Sequence, residues 1–68
     1  MTELRFLVPD MTCGHCVAAV DEELRKINGV AAVAIDLDSK VVVVAGTGIT
    51  FADASAAVHE AGYEAIEV

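Results

Sequence analysis

Sixty-eight residues, 56% of them apolar, with eleven acidic against four basic side chains and a net charge of -7, describe one small domain with a thin core and no deep substrate cavity. That charge repels phosphate backbones and anionic lipid, so neither nucleic acid nor direct membrane binding is expected. Two cysteines are too few for the framework of a small secreted domain, and no charged apolar leader or bilayer-length apolar run is visible, so a cytoplasmic location is expected. The acidity serves solubility, or steers the chain toward a basic or metal-loaded partner surface.

The first element is a half-buried strand in which Leu4, Phe6 and Val8 alternate with Arg5 and Leu7, ended by Pro9-Asp10. From Cys16 the period changes. Val17, Val20, Leu24 and Ile27 fall at helical spacing, with Asp21, Glu22, Arg25 and Lys26 opposite, and Asn28-Gly29 stops the helix. Val33, Ile35 and Leu37 predict a second strand, Asp38-Ser39 a turn, and Val41 to Val44 a third strand. Four valines in a row leave open whether Val41 and Val43 or Val42 and Val44 face inward. After the Gly46-Thr47-Gly48 loop, Thr50 is an N-cap with Asp53 completing a capping box, and Phe51, Ala54, Val58 and Ala61 mark a second helix stopped by Gly62. Glu64 to Val68 alternates as a short last strand, with Ala65 and Ile66 the candidates for the inner face. The order βαββαβ predicts an α+β, ferredoxin-like sandwich, with two helices on one face of a four-stranded antiparallel sheet. Residues 1–68 read as a single domain.

Both cysteines lie in the run Met11-Thr12-Cys13-Gly14-His15-Cys16, where strand gives way to helix. A helix start offers free N–H groups and partial positive charge, which favour thiolate over thiol. Cys13 is expected just before the helix and Cys16 in its first turn, with Gly14 letting the loop bend. Two partly exposed thiolates suit Cu(I), which is soft and accepts two-coordinate, near-linear geometry. Zn(II) wants four ligands, and only His15 and His59 stand beside the cysteines as histidine candidates. The side chain of His15 points away in a regular first turn, and His59 belongs to the second helix. A dithiol oxidoreductase shares the C-x-x-C motif, but thioredoxin-like folds need about a hundred residues and an aromatic residue before the motif. Mercury or zinc handling in the same fold is a further alternative. Nothing in the pattern points to an enzyme.

The M-T-C-G-H-C run resembles the M-x-C-x-x-C signature of the heavy-metal-associated domain family. The Asn28-Gly29-Val30 turn, the element order and the Ala61-Gly62-Tyr63-Glu64 segment extend the match over essentially the whole chain, most closely to small bacterial copper chaperones. The resemblance implies that Cys13 and Cys16 ligate Cu(I), and that Met11 anchors the loop from below rather than binding metal. It also implies that Tyr63 faces the sulfurs and shields them from water or oxidants. His15 reads as an exposed loop residue that becomes an extra ligand only in a metal-bridged homodimer. The implied partner is the soluble metal-binding domain of a copper-transporting P-type ATPase. Two departures from the family pattern are Asp10, where many bacterial members carry Gly, and the lack of the lysine-rich face of eukaryotic chaperones.

Overall fold

The structure is a computed structural model describing residues 2–67. Six elements follow in the order β1 (Thr2–Leu7), α1 (Gly14–Arg25), β2 (Val30–Asp36), β3 (Val41–Gly46), α2 (Phe51–Glu60) and β4 (Ile66–Glu67). The strands lie in the order β2-β3-β1-β4, with every neighbouring pair antiparallel. This is the α+β, ferredoxin-like arrangement expected from the pattern.

Strand register decides which residues point inward. Phe6 stands opposite Val42, which stands opposite Ile35; Leu4, Val44 and Val33 form the next row. Phe6, Val42 and Val44 are fully buried, and Val20 and Leu24 of α1 with Ala54, Ala57 and Val58 of α2 close over them. The valine run is thereby resolved: Val42 and Val44 face the helices, while Val41 and Val43 lie half-exposed on the open face. Phe6 also meets Phe51 at the start of α2, ring centroids 5.9 Å apart and planes at 74°, an edge-to-face contact favoured by the ring quadrupoles.

The helices begin and end where local chemistry demands. Thr50 caps α2: its hydroxyl accepts from the Asp53 N–H, and the Asp53 carboxylate accepts from the Thr50 N–H. Ile49, before the cap, is buried in the same cluster as Ala54, the fourth residue after it, which forms a hydrophobic staple. On α1, Arg25 pairs with Asp21 at 3.0 Å and Lys26 with Glu23 at 2.7 Å. Gly29, just beyond, has φ +102, and a Cβ there would stand 2.2 Å from the Thr47 carbonyl oxygen. The turn after α1 therefore packs backbone against backbone on the loop after β3, joined by Thr47 N–H to Gly29 O at 2.9 Å.

Several boundaries differ from the pattern. Val8 is fully buried but lies beyond β1. Helix α1 begins at Gly14, two residues before the apolar period starts, because its first turn is solvent-facing and carries no periodic signal. Leu37 sits in the turn after β2, while β3 continues to Gly46. The last strand is only Ile66–Glu67; Ala65 packs on the core, but Ile66 is 48% exposed and points outward. Ile66 pairs with Leu7, which faces the open side of the sheet, and cross-strand partners share a face. Val68 falls outside the described residues.

Candidate metal centre

The loop from Val8 to Cys13 is pinned at both ends of a tight turn. Met11 N–H donates to Val8 O at 3.2 Å, with Pro9 and Asp10 at the turn's centre, and both Val8 and Met11 are fully buried. Proline presets the backbone for the second turn position. Met11 thus fills the core beneath the loop, as a packing anchor would.

Cys13 is the N-cap of α1, extended at φ -153 and ψ 172, and its side chain makes no capping bond. Its carbonyl accepts from Cys16 N–H at 3.1 Å and Val17 N–H at 3.2 Å. This single helical turn brings the two sulfurs to 3.3 Å, with Cys13 exposed and Cys16 half-buried. Both are free thiols. Gly14 is the first helical residue, and a Cβ there would meet nothing within 4 Å.

The Cys16 thiol is lowered from its ordinary 9.0 to about 6. The largest cause is the backbone N–H of Thr12, followed by the Tyr63 hydroxyl and then the Cys13 thiol, all hydrogen-bonding to the sulfur. Donors to the charged form favour it. The lowering favours the Cys16 thiolate at neutral pH, and its leading cause lies in the loop before α1 rather than in the helix terminus alone.

Tyr63 reaches the site through the stop of α2. Tyr63 N–H donates to Val58 O at 3.1 Å and Gly62 N–H to His59 O at 2.9 Å, with Gly62 at φ +92. This paired bonding is the Schellman stop, which needs a left-handed residue where Gly62 stands. It sends the next side chain back across the helix end toward Cys16. The Tyr63 phenol is correspondingly raised, first by its bond to Cys16 and then by desolvation.

Cys13, Cys16 and Tyr63 therefore converge. His15 is exposed on the first turn of α1 and His59 is exposed on α2. Among the described residues no group of three or more His, Cys, Asp or Glu side chains is placed to hold a metal ion. The pattern missed one participant. Lys40, at the tip of the β2–β3 hairpin, donates its ammonium to the Met11 carbonyl, and its own carbonyl accepts from Val8 N–H at 2.9 Å. A lysine in a polar turn carries no sequence signal for such a contact.

A four-stranded antiparallel sheet with two helices on one face and a dithiol where the first helix starts defines the class of ferredoxin-like domains with a surface C-x-x-C site. The chain belongs to the heavy-metal-associated domain family, whose model matches residues 5–64. It is 36% identical over 66 residues to a copper chaperone CopZ of Staphylococcus epidermidis, spanning 94% of this chain and 97% of the relative. A copper chaperone CopZ of Enterococcus hirae is 34% identical over 62 residues, covering 88% and 90%. Among solved structures, the copper binding domain of a P-type ATPase superposes with a TM-score of 0.93 at 26% identity, covering 100% of this chain and 95% of that one. No helix among the described residues is long and apolar enough to cross a membrane.

Proposed function

We propose that this protein is a cytoplasmic copper(I) metallochaperone, a carrier rather than an enzyme. It binds Cu(I) through Cys13 and Cys16 and passes it by ligand exchange to the soluble metal-binding domain of a copper-transporting P-type ATPase. The observation that carries this reading is the sulfur pair, 3.3 Å apart at the surface, with the Cys16 thiol lowered to about 6. Similarity to copper chaperones over nearly the whole chain supports it, and an ATPase domain of the same fold supports the partner class.

Cu(I) is the cargo. Metal–sulfur bonds of about 2.3 Å in near-linear array require sulfurs roughly 4.5 Å apart, so the pair opens by about 1 Å on loading. Cys13 supplies that movement, since its side chain is exposed and makes no capping bond. The Tyr63 phenol stands on the Cys16 side, so an incoming thiolate reaches the ion past Cys13. A three-coordinate ion then forms. Cys16, whose thiol is lowered to about 6, leaves first, because a low-pKa thiolate is a good leaving group. Cys13 leaves last. Copper stays monovalent throughout, and each sulfur takes up or gives back only its proton.

Anaerobic titration with Cu(I) against a competing chelator tests this. Saturation at one ion per chain is expected, or below one where two copies share the ion as a metal-bridged homodimer. Cys13→Ser and Cys16→Ser each abolish tight binding. Unchanged affinity in both variants overturns the reading.

A further inference from the structure

Lys40 occupies a backbone position that suits it poorly. Its φ is +65, the left-handed region, and among the described residues it is the non-glycine residue found there. Hairpins with loops of this length place Gly or Asn at such a position. The rest of the hairpin tip is already tied: Asp38 N–H donates to the Asp36 carboxylate at 3.0 Å, and Val41 N–H to the Ser39 hydroxyl at 3.4 Å. Nothing in the turn itself calls for a lysine.

What Lys40 does lies across the sheet, 29 residues away in the chain. Its carbonyl holds the Val8 N–H and its ammonium holds the Met11 carbonyl. One residue thus grips both ends of the Val8–Met11 turn, immediately before Cys13. Antiparallel pairing makes this possible, since Leu7 stands opposite Val41 and the end of β1 meets the start of β3. The bond from its ammonium is part-buried. Of the other cations, Arg5 is exposed on β1. Arg25 and Lys26 are bound to Asp21 and Glu23, at the far end of a helix about 18 Å long.

We propose that Lys40 is the positioning residue of the metal loop, a clamp that fixes the Val8–Met11 turn and so presents the Thr12 N–H and both sulfurs in a preorganised arrangement. This rests on the copper reading above for its ligand. The loop is ordered before the ion arrives, so binding does not bear the entropy of ordering it. Lys40 touches neither sulfur in this account. It acts through the Met11 carbonyl, on the backbone that leads into Cys13.

The test separates the clamp from the fold, because glycine is the residue the backbone prefers at this position. Lys40→Gly is expected to unfold at the same temperature as the parent or higher. In the metal-free reduced protein, amide hydrogen exchange at Met11 to Cys16 is expected to accelerate by about tenfold. Cu(I) affinity, read by chelator competition, is expected to fall by about tenfold, as for loss of an outer partner. Lys40→Arg, which retains a donor to the carbonyl, is expected to keep exchange and affinity within about threefold of the parent. Exchange and affinity within about twofold of the parent in Lys40→Gly overturn the proposal. Failure of the parent to bind Cu(I) would remove the copper reading alone, since exchange in the metal-free protein decides the clamp by itself.

Discussion

Tyr63, on the loop that follows α2, sets its phenol against the sulfur of Cys16, and the ionisation of each group acts on the other. The Thr12 N–H is the first cause of the acidity of Cys16, and the phenol is the second. In return the phenol is pushed up, chiefly by its bond to that sulfur. An aromatic donor in this position favours the charged form of the sulfur.

Tyr63→Phe keeps the ring and removes the donor. The Cys16 midpoint is expected to rise from about 6 but to stay below the ordinary 9.0, because the Thr12 N–H and the Cys13 contributions remain. Ultraviolet thiolate absorbance, followed against pH in the reduced metal-free protein, reads this directly. A midpoint that does not move would show that the phenol leaves the sulfur's charge untouched.

The same acidity makes folding depend on pH. Cys16 titrates near 6 when folded and near 9.0 in an ordinary environment. Between these values the unfolded chain binds more protons, so the stability of the reduced, metal-free protein rises with pH. The contribution is complete above the unfolded value and is lost as pH falls through the folded one. Denaturant unfolding at a series of pH values should show the rise, and Cys16→Ser should flatten it. A parent curve that is level, or parallel to that of the variant, contradicts the assignment.

Met11 is fully buried beneath the loop, so Met11→Leu conserves both volume and burial. The exchange should cost less than about 1.5 kcal/mol and leave Cu(I) affinity within about twofold, since no second-site ligand is lost. Met11→Ala, by contrast, should cost about 2–5 kcal/mol through the cavity it opens. Loss of copper affinity in the leucine variant would make the thioether a ligand.

Gly29 is constrained twice, by φ +102 and by the Thr47 carbonyl oxygen 2.2 Å from where a Cβ would stand. Gly29→Ala must strain the backbone and part the two loops, at a cost of at least about 3 kcal/mol. In a domain of this size that lowers the melting temperature by roughly 12 °C or more. Thermal unfolding followed by circular dichroism checks it; a fall of less than about 3 °C would mean that the loops yield easily.

Much of this was legible in the residue order, because helices and strands announce themselves by local periods. Val17, Val20 and Leu24 mark a helical stripe, and Leu4 and Phe6 an alternating strand, whatever lies beside them. Thr50 with Asp53, Gly29 and Gly62 mark ends for reasons internal to a few peptide units. The spacing of Cys13 and Cys16 across one helical turn is likewise local, so their approach followed from the motif. The boundaries that slipped lie where the local pattern outruns or lags the element: Val8 and Leu37 continue an apolar alternation past the end of their strands, and Gly14 is helical without burial.

Contacts between distant segments obey no such local rule. An all-valine strand has no polar face to betray its orientation, and the inward choice of Val42 and Val44 came from pairing with Phe6 and Leu4. Ile66 turned outward because Leu7 opposite it does. Lys40 and Tyr63 meet the loop before α1 because antiparallel pairing brings the end of β1, the start of β3 and the approach to β4 to one end of the sheet. The acidity of Cys16 depends first on a backbone N–H, whose direction is a property of the folded loop and not of the side chain at Thr12. Chain order supplied the two sulfurs and their spacing; the charge of the pair arose only when the loop at Thr12 took its folded shape and Tyr63 was brought in from the end of α2.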